Sequence, residues 1–190
     1  DILVRHNLDV MHVEKNICVN IISTLLNVKG KSNDGLNSRR DLESMCLRKE
    51  LHPESRGNIF YLPTASHTLL KGEKQIFYRR LANMKLPDGY GSNIETRVSV
   101  KDCKIFGIKS HDFHLLMQQF LSIALRGLLP KGPRITIFLL CSFFNELCNR
   151  VVDIIELKIW RRMWLTLCMS ERFFPQSFFD IMVHLTIHLG

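Results

Sequence analysis

The chain has 190 residues, 46% hydrophobic and 23% charged, which is enough apolar material for a substantial core and excludes a largely disordered polymer. Its formal charge of +8 is spread along the sequence, so it suits a polyanionic partner such as nucleic acid and equally an ordinary solvated surface. The six cysteines (Cys18, Cys46, Cys103, Cys141, Cys148, Cys168) form no C-x-x-C pair, and the longest apolar run, Ile135–Phe144, is too short for a bilayer. A secreted disulfide framework, a regular zinc finger and a membrane partner are therefore not expected; a reducing compartment, nuclear or cytoplasmic, is.

The pattern predicts a first amphipathic helix over Val10–Asn27, with Val10, Val13, Ile17, Ile21 and Leu25 on one arc and Asn7 or Asp9 as its cap. Glu14 falls inside that apolar arc, where a carboxylate is costly unless paired, protonated or bound to a cation. Lys29–Leu36 reads as a loop, Ser38–Leu47 as a short charged helix, and Ile59–Leu62 as a short extended segment. A helix over Lys71–Met84 turns Ile76, Phe77, Leu81 and Met84 inward, and Pro87-Asp88-Gly89 marks a turn. Val98–Ile108 suggests a β-hairpin around Lys101-Asp102. From Ser110 the reading is helical: His111–Arg126 capped by Ser110, with Leu115, Leu116, Phe120, Ile123 and Ala124 facing inward, then Arg134–Asn149 after Pro130 and Pro133, then Asp153–Arg172, and last Phe178–Leu189. The expected fold class is mainly α, with at most a short hairpin.

Several constellations carry possible chemistry. Asp9, His12 and Glu14 sit at the start of the first helix; the competing structural role is a cap for Asp9 and an ion pair for Glu14. His111, Asp112 and His114 share one helical turn, and Asp180, His184 and His188 form an i, i+4, i+8 stripe. Histidines at such spacing can ligate zinc, but neither group has a fixed full ligand set, so capping and packing compete with a metal role at His111, His114, His184 and His188. Arg126, Lys131 and Arg134 gather at a helix junction, and Arg161-Arg162 forms a pair; all five are candidates for phosphate contact. Trp160, Trp164, Phe143 and Phe144 recur at helical spacing and are read as core.

The run Asn7–Glu14, with Ile17–Leu26 and Val28-Lys29-Gly30-Lys31 after it, resembles the end of the transposase of plant CACTA (En/Spm-type) elements, in which a D-x-x-H motif, here Asp9 and His12, opens such a helix. Arg48–His52, Leu86–Tyr90, Ser92–Ile94, Ile108–Asp112, Leu116–Gln119, Arg126–Lys131 and Phe178–Leu185 are similar to the uncharacterised domain that comes after that transposase. The resemblance implies residues 1–35 as the C-terminal piece of a transposase-like region, with the first helix a remnant of an RNase H-like core, and 36–190 as the associated helical domain. It also implies a catalytic set of three acidic residues using Mg or Mn in the full-length family. Only the third would fall here, as Glu14 or alternatively Glu171. The chain starts at Asp1 and reads as a fragment, so no enzyme activity and no cofactor of its own are expected. DNA, the rest of a transposase or another element-encoded protein are the expected partners. Val152–Trp164 departs from the family pattern, with Lys158, Arg161 and Arg162 where acidic residues would be expected. The alternatives are a self-contained helical metal-binding module and a protein-interaction module.

Overall fold

A computed structural model describes residues 9–84, 94–148 and 157–186. The chain is mainly α-helical, with two small antiparallel hairpins. Helix α1, Val10–Leu25, begins where the Asp9 carboxylate accepts the His12 amide at 3.2 Å, and ends where Lys74 Nζ donates to the Leu26 carbonyl at 2.5 Å. A side-chain acceptor at one end and a cation at the other satisfy backbone groups that have no intrahelical partner. Of the predicted arc Val13, Ile17, Ile21 and Leu25 are buried and Val10 is half-buried, while Cys18 joins the buried face.

Helix α2, Leu36–Ser44, precedes the hairpin β1 (Glu54–Arg56) and β2 (Ile59–Tyr61), paired Glu54 to Tyr61 and Arg56 to Ile59. The sequence showed only the second strand, because β1 (Glu-Ser-Arg) is polar whereas β2 (Ile-Phe-Tyr) is apolar, although both are exposed. Helix α3, Lys71–Ala82, buries Phe77, Tyr78 and Leu81 but leaves Ile76 exposed. Strands β3 (Val98–Ser99) and β4 (Lys104–Ile105) form the hairpin expected around Lys101-Asp102.

The segment expected as one helix after Ser110 is interrupted. Helix α4, Ser110–Leu115, passes into a π turn at Leu116–Phe120 before α5, Leu121–Ala124. The wider turn adds a residue to the ladder and rotates the helix beyond it. Phe120, Leu121, Ala124 and Leu125 therefore face inward, while Ile123, expected inside, is 58% exposed. The N-cap is Lys109 rather than Ser110.

Helix α6 runs Lys131–Leu147, so Pro133 does not delay it. Proline fits a first helical turn, whose amides lack intrahelical acceptors in any case. Helix α7, Leu157–Ser170, packs on α6; Trp164, read as core, is instead 57% exposed, while Met163 and Leu167 are buried. The predicted terminal helix starts later: a 3-10 turn at Gln176–Phe178 leads into α8, Ile181–Leu185, and the expected end at Leu189 lies outside the described residues. The side chains of Trp160, Arg161 and Arg162, together with His188, lie outside the described residues.

One hydrophobic cluster joins α1, α3, α4, α6, α7 and the Phe174–Phe178 region, with Phe77, Phe144, Phe174 and Phe178 fully enclosed. Residues before 35 thus share their core with residues after 36. Leu42, Leu51 and Ala65 form a small second cluster.

Two buried polar groups fasten the loops to this core. Asp34 receives the Nε and Nη2 of Arg39, the latter at 2.7 Å, and the Nε2 of His67 at 2.9 Å. His67 Nδ1 faces the Phe173 carbonyl at 2.7 Å, so a ring with acceptors at both nitrogens donates from both. Burial pushes the Asp34 carboxyl up, but the hydrogen bonds and charges of His67 and Arg39 outweigh it and hold the group below its ordinary value. Asn20, also buried, donates to the Phe178 carbonyl at 2.8 Å and accepts from Asn33 at 2.7 Å.

Candidate functional site

The place where separate sequence signals meet is the contact of α1 with α4. Glu14 leaves the apolar face of α1 and is wholly buried, as its position in the arc implied. Its Oε2 lies 2.5 Å from Nδ1 of His114, one hundred residues later in the chain. The Gln118 amide nitrogen lies 3.1 Å from the same Nδ1 and 3.2 Å from the Phe144 carbonyl. The second carboxylate oxygen, Oε1, has no hydrogen-bond partner among the described residues. Burial raises the Glu14 pKa, and the hydrogen bond and charge of His114 with a hydrogen bond from Gln118 pull back only part of that shift.

The sulfur of Cys148, at the C-terminal cap of α6, completes a group with Glu14 and His114 in which one donor atom of each lies within 4.8 Å of the others. Cys148 faces solvent at the outer side of the group. Burial of its sulfur and the nearby Glu14 charge raise its pKa. Cys18 and Cys141 lie deeper. Desolvation pushes Cys141 up to about 12 and Cys18 well above its ordinary value, so both pack as small neutral hydrophobes.

The other predicted site residues take different positions. Asp9 caps α1 and His12 is exposed beside it, one turn from the buried pair. Asp112 is committed to the start of α4, accepting the Lys109 amide at 2.9 Å, while the rings of His111 and His114 stack with centroids 6.2 Å apart. Asp180 caps α8 by accepting the amides of Met182 at 3.0 Å and Val183 at 3.1 Å. His184 is exposed on that short helix. Glu171 is exposed and helps line a cleft of about 640 Å³ with Arg48, Arg172, Phe174, Gln176 and Phe179.

At the α5–α6 junction Arg126 and Lys131 are exposed on either side of the turn, and Arg134 lies one turn into α6. Arg80 fixes the junction from α3 by donating to the Ala124 and Arg126 carbonyls, at 3.0 and 2.6 Å. None of Arg126, Lys131 and Arg134 forms an ion pair among the described residues.

The sequence singled out Glu14 and His114, but separately; Gln118 and Cys148 carried no signal of their own. The Asp34–Arg39–His67 group was missed because its members are dispersed and Asp34 lies in a run of ordinary loop residues.

A family model described as a domain of unknown function, DUF4218, matches residues 147–190. No curated protein matches the chain. No solved structure matches it either.

Proposed function

We propose that this chain is a transposon-derived piece, similar to the tail of a plant CACTA-type transposase with its associated domain, and that it contributes DNA contacts without catalysing strand transfer alone. The matched family, commonly found in plant transposon proteins, supports the origin, as does the D-x-x-H helix carrying Asp9 and His12. The observation that carries DNA contact is the set of exposed Arg126 and Lys131 with half-buried Arg134, none in an ion pair among the described residues, at a helix junction that Arg80 fixes through the Ala124 and Arg126 carbonyls. Cations on a fixed turn can track a phosphate backbone and release its counterions. Arg161 and Arg162 extend the candidate set along the sequence.

The non-catalytic reading rests on the chemistry of transposition. Two metal ions must bridge the attacking and leaving oxygens, which takes several carboxylates converging on one point. Glu14 turns into a pair with His114, and Glu171 is exposed at a separate cleft lined with two arginines.

Titration with duplex DNA across a salt series tests the reading. Binding should weaken steeply with salt, and Arg126→Ala with Lys131→Ala should reduce the slope of log K against log salt by about one per residue. Salt-independent binding, or none at low salt, overturns DNA contact and favours a protein partner. A plasmid-nicking assay with Mg²⁺ or Mn²⁺ tests the second half: metal-dependent cleavage abolished by Glu14→Gln would restore an enzyme.

A further inference from the structure

We propose that Glu14, His114 and Cys148 bind a single divalent transition-metal ion of the zinc class, tying α1, α4 and the end of α6 together, with solvent in the fourth position. The donor set is a carboxylate oxygen, an imidazole nitrogen and a sulfur. This mixture suits zinc or cobalt and disfavours magnesium or calcium, which prefer oxygen throughout.

One feature of the pocket argues for an ion rather than a simple ion pair. Glu14 Oε1 is fully buried without a partner among the described residues, a costly state for a carboxylate that ligation would relieve. His114 Nδ1 faces the same carboxylate, so a cation there takes the proton's place between imidazole and carboxylate while Gln118 keeps the Phe144 carbonyl as its acceptor.

The geometry needs only side-chain adjustment. The donor atoms lie within 4.8 Å of one another, whereas bonds of 2.0–2.3 Å around a tetrahedral ion imply edges of about 3.3–3.8 Å. The Glu14–His114 separation must open by about 1 Å, and the sulfur needs to close in by no more than about 1 Å. Each ligand stands on or at the end of a helix packed into the core. An ion can enter from the side where the His114 side chain is 24% exposed and Cys148 meets solvent. Binding replaces the Cys148 thiol proton and the proton shared by His114 and Glu14, which pass to water, with no change of oxidation state.

Cobalt titration of the chelator-treated full chain, without DNA, tests the site. One equivalent should give the visible bands of a tetrahedral ion and a near-ultraviolet thiolate-to-cobalt band, both erased by zinc. Cys148→Ser, at an exposed position, should stay folded by circular dichroism, lose the thiolate band and bind at least tenfold more weakly. Cys46→Ser, Cys168→Ser and His184→Ala should leave the spectrum unchanged. Folded protein that binds no cobalt, binds it without a thiolate band, or binds equally well as Cys148→Ser overturns the proposal. The DNA result is read independently, so either conclusion can fail alone.

Discussion

Replacing Asp34 by Asn removes the charge but keeps the shape at a deeply enclosed ion pair. The Arg39 and Asp34 side chains are 3% and 5% exposed, so little water can take over when the carboxylate is lost. The amide can accept at one atom only. The guanidinium then lacks a counter-charge, and at least one of the donors Arg39 Nε, Arg39 Nη2 and His67 Nε2 meets an NH₂ group. Breaking such a pair from one side costs about 3–5 kcal/mol, which for a domain of this size lowers Tm by about 6–20 °C. Denaturant unfolding at neutral pH measures the loss. Acid adds a signature of its own. Folding holds the Asp34 carboxyl below its ordinary 3.8, so its contribution is present above that value and disappears as pH falls through the folded-state value. The gap between wild type and Asp34→Asn should therefore narrow on acidification. A loss under about 1 kcal/mol at neutral pH would refute the reasoning, because it would show Arg39 finding water or another acceptor at little cost.

Asn20→Ala strands the Asn33 amide and the Phe178 carbonyl in a buried setting and should cost about 2–3 kcal/mol by denaturant unfolding. Asp180→Ala removes the acceptor for two amides of α8 and should cost about 1 kcal/mol, most of it regained by Asp180→Asn or Asp180→Ser; hydrogen exchange at Val183 should accelerate in the alanine variant only. Gly132→Ala places a methyl carbon 2.3 Å from Cζ of Phe173, so the ring must swing aside; a loss of about 1–3 kcal/mol, read as a lower Tm, is expected.

Local signals were legible in the sequence where one helix face settles them. Val13, Ile17, Ile21 and Leu25 announced α1, and the misplaced carboxylate of Glu14 announced that something must meet it. What met it was not legible, since the partner lies a hundred residues away and depends on how α4 crosses α1. Ile123 shows a second limit. Its helical phase was right for an unbroken helix, and the π turn shifted that phase for packing reasons no local pattern contains. Pro133 shows a third: a helix breaker in general becomes a helix starter within the first turn. Trp164 was assigned inward by its helical spacing from Trp160, whereas the α6–α7 contact chose Met163 and Leu167. The basic junction was visible as residues, but only the fold supplied Arg80 beneath it.

The stitching of residues 170–180 to the stretch from Asn20 to His67 has a bearing on inheritance. Carbonyls of Phe173, Phe174 and Phe178 are claimed by His67, Arg48 and Asn20, and the Ser177 hydroxyl donates to the Asn33 carbonyl. The recognisable stretch 147–190 is thus one half of a mated surface, its opposite number encoded more than a hundred residues upstream. Transplanted on its own, it would carry Met163, Leu167, Phe174 and Phe178 into water as a sticky wall. Any host that keeps this stretch must supply an equivalent of α1 and the loops after it.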